Sequence, residues 1–253
     1  MMRCFESRCL TRPIHSFSPR LRVSLVGVRR LTPGSNGRWP DESKFLSALS
    51  RRSVRREHAM IESELAYRAA AAALSAVGFA VRFYYQLRTR SVGHVSARHL
   101  QRDQVYYWLV FAAFLLVFVY AFTPALDFAH ISLPALVRWS GSLLGILGIV
   151  LLIATHRALG RNWSGQLEIA DGHKLVVAGP YRRIRHPMYT AIFCMALAYS
   201  LVSANWIVAI ANLAAVTLMY WARVADEEQM LIDQFGDDYR AYMRRTGRLI
   251  PKF

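Results

Sequence analysis

Arg223 and Glu227 stand four residues apart in the run "RVADEE", a spacing that places both side chains on one face of a helix. Such a pair can close on itself as a local ion pair. Alternatively, the guanidinium can hold an anionic substrate group through two parallel hydrogen bonds while the carboxylate receives a cation. Glu228 projects about 100° away from Glu227 and is expected to be a solvated neighbour. Earlier in the chain, "GPYRRIRHPMYT" sets Tyr181, His186 and Tyr189 among Arg182, Arg183 and Arg185. Its plain reading is a membrane-interface flank, with arginines at headgroups and tyrosines as interfacial aromatics. Pro187 fits the first turn of a helix, where its missing N–H costs nothing. His186 is the side chain of the stretch suited to titrate near neutral pH.

Side chains so far apart need elements that bring them together, and composition says which kind. The chain has 253 residues, 54% of them hydrophobic, with a positive mean hydropathy, which points to a membrane protein. The formal charge of +16 is unevenly spread: residues 1–59 hold 12 Arg and one Lys against four acidic residues, a net of +9, which leaves +7 for the rest. Nucleic acid is not expected as a partner, because no aromatic-interleaved strand or finger spacing accompanies the basic residues. Cys4, Cys9 and Cys194 fit neither a disulfide framework nor a metal site. No metal is expected, since His and acidic residues do not cluster with ligand spacing.

The expected fold is an all-α integral membrane protein of about five transmembrane helices, with a C-terminal helical hairpin and a cytoplasmic cofactor-binding segment and tail. Val105 to Thr123 is 19 residues without a charge and Trp139 to Thr155 is 17 more, against about 20 for a spanning helix. Leu65 to Leu87 reads as a first span, with Arg68 and Arg82 near enough to its ends to snorkel toward headgroups. Pro187 to Ala222 runs 36 residues uncharged, about 54 Å as one helix and too long for a core of about 30 Å. Ser203-Ala204-Asn205 is its small, polar cluster, so the run reads as two helices joined by a tight turn. Both ends of that hairpin leave the membrane on one face, which sets His186 and its neighbours beside Arg223 and Glu227.

Lys/Arg bias gives orientation. The 88–103 connection carries Arg88, Arg90, Arg98 and Arg102, whereas 124–134 carries neither Lys nor Arg, so the first is cytoplasmic, together with 156–186 and the tail. The segment before Leu65 then falls outside, which is at odds with its arginines. Residues 1–59 therefore read as a disordered basic extension, either a removed targeting peptide or an over-long start before Met60, and 60–253 as the membrane domain. Between the third and fourth spans, a 34-residue polar segment exceeds what a connector needs. There "KLVVAGPY" reads as extended backbone ended by a Gly-Pro turn, with Gly179 biased to the extended region. The tail, "EEQMLIDQFGDDYRAYMRRTGRLIPKF", is amphipathic and broken at Gly236, suited to cover the cytoplasmic face or to lie along the interface.

Taken in order, "HKLVVAGPYRRIRHPMY", the hairpin and "RVADEE…FGDDYRAYMRRTGRLIP" resemble the isoprenylcysteine carboxyl methyltransferase and phospholipid methyltransferase group of integral-membrane enzymes, over roughly residues 160–253. The resemblance implies that S-adenosylmethionine is bound by Gln166, His173, Lys174, Leu175, Val176, Tyr181, His186, Pro187, Met188, Tyr189 and Glu227. It also implies that Arg223 holds the carboxylate of a prenylcysteine. Met188 stands where relatives often have a smaller or aliphatic residue.

The cofactor's sulfonium and ammonium suit Glu227, and in-line methyl transfer asks mainly for positioning and desolvation. A carboxylate acceptor is already ionised. A phospholipid amine or small thiol would need a base, for which His186 is the candidate. The expected partners are S-adenosylmethionine, an amphiphilic or lipidic acceptor and membrane lipids. Two other readings stay open. One is an NADPH-dependent membrane sterol reductase, which shares a "GxYxxxRHPxY" segment but usually has Asn after His-Pro. The other is a non-enzymatic protein whose basic loops bind anionic headgroups.

Overall fold

The computed structural model describes residues 42–89, 100–160 and 175–252. The chain divides into two units, Met1–Arg56 and Glu57–Phe253, and the second holds the helix bundle and the site. Five helices are described: α1 (Glu42–Thr89), α2 (Leu100–Phe122), α3 (Ala135–Leu159), α4 (Pro187–Ser203) and α5 (Trp206–Arg245). Four of them are long and apolar enough to cross a membrane, and α4 is a shorter apolar helix. The chain is an all-α integral membrane protein, as expected.

Helix α1 starts well before Met60, inside the segment expected to be a disordered extension. From Glu42 to Val77 there is neither Gly nor Pro, and nothing local interrupts a run of good helix formers. The remainder of the extension lies outside the described residues.

The hairpin forms where its small polar cluster stands. Ala204 takes the left-handed conformation (φ 47°, ψ 43°), and Asn205 caps α5 by accepting from the Ile207 and Val208 N–H groups. The same amide donates to the Leu126 carbonyl at 2.7 Å, while the Ile131 N–H donates to the Ala204 carbonyl at 2.7 Å. The turn is thereby tied to the α2–α3 connection, so both lie at one end of the bundle. Asn205→Ala removes a cap and strands two buried partners. We expect a loss of about 2 kcal/mol, read as a lower midpoint in thermal unfolding of detergent-solubilised protein.

Helices α3 and α4 touch through Gly141, Gly145 and Gly148. A methyl on Gly148 would come within 3.2 Å of the Ala191 carbonyl oxygen, and one on Gly141 within 3.1 Å of that of Ala198. Small residues allow this approach, and dispersion at close backbone contact replaces the hydrophobic drive that lipid cannot supply.

Several charges within the helices are bonded inside the protein. Arg138 is 5% exposed, held by Glu64 at 2.6 Å, by the Val202 carbonyl at 2.9 Å and by the Tyr120 hydroxyl at 3.1 Å. Arg68 donates to the Thr123 carbonyl and pairs with Asp127, and Arg82 faces a cavity between the helices. Arg68 thus reaches toward the bundle end, where Asp127 is exposed, whereas Arg82 points inward. A guanidinium inside a bundle is retained where carboxylates and carbonyls replace its water.

Candidate active site

The opposite end of the bundle is where α4 begins and the charged half of α5 emerges. Helix α5 is broken at Gly236 (φ 54°), as its sequence suggested; its part before the break measures about 45 Å, so the stretch from Asp226 onward lies beyond the apolar part. The hairpin brings the sequence-predicted residues of both strings together. Tyr189 donates to Glu227 Oε1 at 2.7 Å, Arg223 Nε lies 3.4 Å from the same oxygen, and His186 Nδ1 is 3.6 Å from Oε2. Arg223 is 4% exposed, whereas the Glu227 side chain keeps 21% of its surface. Its open side therefore faces solvent. The rings of His186 and Tyr189 meet edge to face at 5.9 Å, giving the carboxylate an aromatic border.

Upstream, Leu175 to Val177 form no helix or strand, and a 3-10 turn follows at Gly179–Arg182. Gly179 differs from its expected extended conformation: its φ is +58°. That region is open to glycine, which lets the Gly-Pro step turn the chain sharply. The turn sets the half-buried Tyr181 over the site. Burial pushes its phenol up, and the neighbouring Tyr242 and Glu227 add to that. Pro187 is buried at the first position of α4. Gln166, His173 and Lys174 lie outside the described residues.

Glu228 departs most from expectation. It is 4% exposed rather than solvated and accepts from Arg185 Nε (3.1 Å), His186 Nε2 (3.3 Å) and Arg248 Nη2 (2.6 Å). Burial alone would raise its carboxyl, but hydrogen bonds from His186 and Arg248 and their charges bring it down to about 2. Arg185, expected as a headgroup contact, points inward, donating also to the Met243 and Thr246 carbonyls. Around this centre the C-terminal residues form a strap. His186 N–H donates to the Arg248 carbonyl at 3.0 Å, Gly247 N–H to the Arg183 carbonyl at 3.0 Å, and the Thr190 hydroxyl to the Leu249 carbonyl at 2.8 Å. The Tyr242 hydroxyl donates to the Tyr181 carbonyl at 2.7 Å. Of the two placements open to the tail, the one found is over the site. No sequence signal distinguished Glu228 from a surface glutamate, although its 100° offset from Glu227 did mean a different partner.

Beside this cluster, toward the bundle interior, is a cavity of about 870 Å³. Its wall is apolar over most of its length, including Phe114, Leu152, Met195 and Val216, and turns polar at Arg82, Gln86, Gln104 and Tyr107. Tyr107 joins it to the site: its ring lies under the Arg223 guanidinium at 4.8 Å and packs against the cluster of Tyr189, Met219 and Tyr220. Met188 Sδ is 3.6 Å from Arg82. A half-buried carboxylate bordered by aromatic rings suits a sulfonium or ammonium, and an apolar channel whose polar end carries a guanidinium group suits an amphiphile with a small anionic head.

Residues 142–233 match the model of the isoprenylcysteine carboxyl methyltransferase (ICMT) family. The chain is 30% identical over 114 residues to a human protein-S-isoprenylcysteine O-methyltransferase, covering 44% of this chain and 40% of that protein. A probable protein-S-isoprenylcysteine O-methyltransferase of Oryza sativa subsp. indica is 28% identical over 135 residues, covering 51% of this chain and 69% of the relative. Methanethiol S-methyltransferase 1 of Bradyrhizobium diazoefficiens is 39% identical over 72 residues, which cover 28% of this chain and 24% of that protein. The chain thus spans less than half the length of the human and bacterial relatives. A solved structure of a eukaryotic intramembrane Ras methyltransferase ICMT overlays with a TM-score of 0.45 and 28% identity, covering 58% of this chain and 52% of that one. The part of the chain that builds the third span, the hairpin and the Arg223–Glu227 face is therefore similar to the isoprenylcysteine carboxyl methyltransferase family.

Proposed function

We propose that this chain is an S-adenosylmethionine-dependent methyltransferase of the membrane whose acceptor is lipidic and carries a carboxylate, of the prenylcysteine type. The observation that carries the reading is the junction at Tyr107, where an apolar cavity of about 870 Å³ meets the Arg223–Glu227 face. The cofactor supplies an electrophilic methyl group on a sulfonium. Glu227 holds its positive charge, with Tyr181, Met188 and Tyr189 as the wall around it and Leu175 and Val176, with Gln166, His173 and Lys174, along its length. Arg223 would hold the acceptor's carboxylate beside it. A carboxylate is already ionised, so accepting a methyl group would require no base. For such an acceptor His186, with its ring nitrogens 3.6 Å from Glu227 and 3.3 Å from Glu228, positions the cofactor wall. It turns to proton removal only if the acceptor is a thiol or an amine. The arginine bias of the 88–103 connection supports a site that faces the cytoplasm.

A small thiol is the second reading, favoured by the 39% identity with the Bradyrhizobium methanethiol enzyme. Transfer of labelled methyl from S-adenosylmethionine to farnesylcysteine, phosphatidylethanolamine and methanethiol separates the acceptors. Turnover of farnesylcysteine at least tenfold above the other two is expected; preference for methanethiol moves the assignment to the thiol. Titration with NADPH addresses the reductase, and binding of that cofactor in place of S-adenosylmethionine overturns the methyltransferase reading.

A further inference from the structure

Among the described residues, Arg82 is the one side chain with a full charge that lines the cavity. It belongs to α1, outside the residues 142–233 that match the family model. Its Nη1 lies 3.6 Å from Met188 Sδ on α4, and it is hydrogen-bonded to Tyr107 on α2. The Arg223 guanidinium lies over that same tyrosine ring at 4.8 Å from its centroid. Two guanidinium groups from α1 and α5 therefore flank Tyr107 at the polar end of an apolar channel. Gln86 and Gln104 complete that end with uncharged donors and acceptors, and among the described residues the lining includes no carboxylate.

Like charges repel across short distances most strongly where water is scarce, and a charge at membrane depth is retained where it meets a ligand or a pathway. An anion between the two guanidinium groups turns the repulsion into attraction, whereas an ammonium head adds a third positive charge. We infer that Arg82 is a specificity-determining residue: with Arg223 it forms a two-arginine seat for the acceptor's carboxylate, which selects anionic over amine or neutral head groups. The inference rests on the methyltransferase reading and deepens it by assigning the acceptor's charge.

The test is a kinetic comparison in the full chain, reconstituted in lipid nanodiscs, with N-acetyl-S-farnesylcysteine as acceptor and its neutral carboxamide as a non-reacting competitor. In Arg82→Gln, KM for the carboxylate acceptor rises at least tenfold, while KM for S-adenosylmethionine and inhibition by the carboxamide stay within twofold of wild type. Arg82→Lys keeps the charge without the fork and shifts the acceptor KM about threefold. An unchanged acceptor KM in Arg82→Gln overturns the inference, as does a parallel weakening of carboxamide inhibition, which marks Arg82 as wall packing. If Arg82→Gln does not fold, Arg82→Lys decides alone, with an unchanged acceptor KM as the contrary result. Failure of the underlying reading looks different, because wild type itself then methylates methanethiol or phosphatidylethanolamine and no carboxylate.

Discussion

Glu227→Gln lowers the affinity for S-adenosylmethionine by about two orders of magnitude, close to 3 kcal/mol, while leaving the fold intact. The substitution keeps shape and removes charge. A carboxylate offers about four acceptor positions. Tyr189 and Arg223 both approach Oε1, and Oε2 has His186 at 3.6 Å. The Oε2 side thus retains room for a cation, and the 21% residual exposure of the side chain puts that room at the surface of the site. A charge-assisted hydrogen bond there contributes about 1.5–3 kcal/mol, and the amide also relaxes the hold on Arg223, so the acceptor KM rises as well. Isothermal titration reads the first effect directly. A dissociation constant within threefold of wild type would show that Glu227 serves only the local ion pair with Arg223.

Glu228→Ala has the larger structural effect. It leaves Arg185, His186 and Arg248 around a hole where a buried carboxylate had been, and removing one partner of a buried ionic group costs about 3–5 kcal/mol. The strap is released with it, since Arg183, His186 and Thr190 all bond to residues 247–249. Hydrogen exchange at these amides rises by two orders of magnitude or more, and binding of S-adenosylmethionine weakens because His186 loses its backing. The acid behaviour follows from the same carboxylate. Its pKa is lowered on folding from 4.5 to about 2, so its contribution is fully present above pH 4.5 and is lost as pH falls toward 2. Strap protection in wild type therefore decreases across that window, and in Glu228→Gln it is low and flat. Equal protection in wild type and Glu228→Gln at pH 7 would contradict the strap account.

The hairpin was legible because 36 uncharged residues exceed one crossing and Ser203-Ala204-Asn205 is the place for a turn. From that alone it followed that His186 and Tyr189 meet Glu227, as they do at 3.6 and 2.7 Å. What the sequence concealed were buried charges. Glu228, Arg185, Arg138 and Arg82 have the side-chain types that are exposed by default, and each is inside because of partners 18 to 106 residues away. Neither periodicity nor spacing reports such a partner. Arg138 and His156, which flank the uncharged run Trp139 to Thr155, belong to α3 and are buried, with His156 stacked on Tyr85 at 4.4 Å. Gly179 was misjudged for another reason: the bias imposed by a following proline yielded to the turn that places Tyr181 over the site.

The central claim is that the Arg223–Glu227 face joins a cofactor's methyl group to a carboxylate held at the mouth of the apolar cavity. Single-turnover transfer of labelled methyl to N-acetyl-S-farnesylcysteine by wild type and Arg223→Ala tests it most directly, with the product resolved as a base-labile methyl ester. The account predicts ester formation by wild type and a loss of at least a hundredfold in Arg223→Ala, with S-adenosylmethionine affinity changed far less. Undiminished ester formation by Arg223→Ala, or no ester from wild type with S-adenosylmethionine bound, contradicts it.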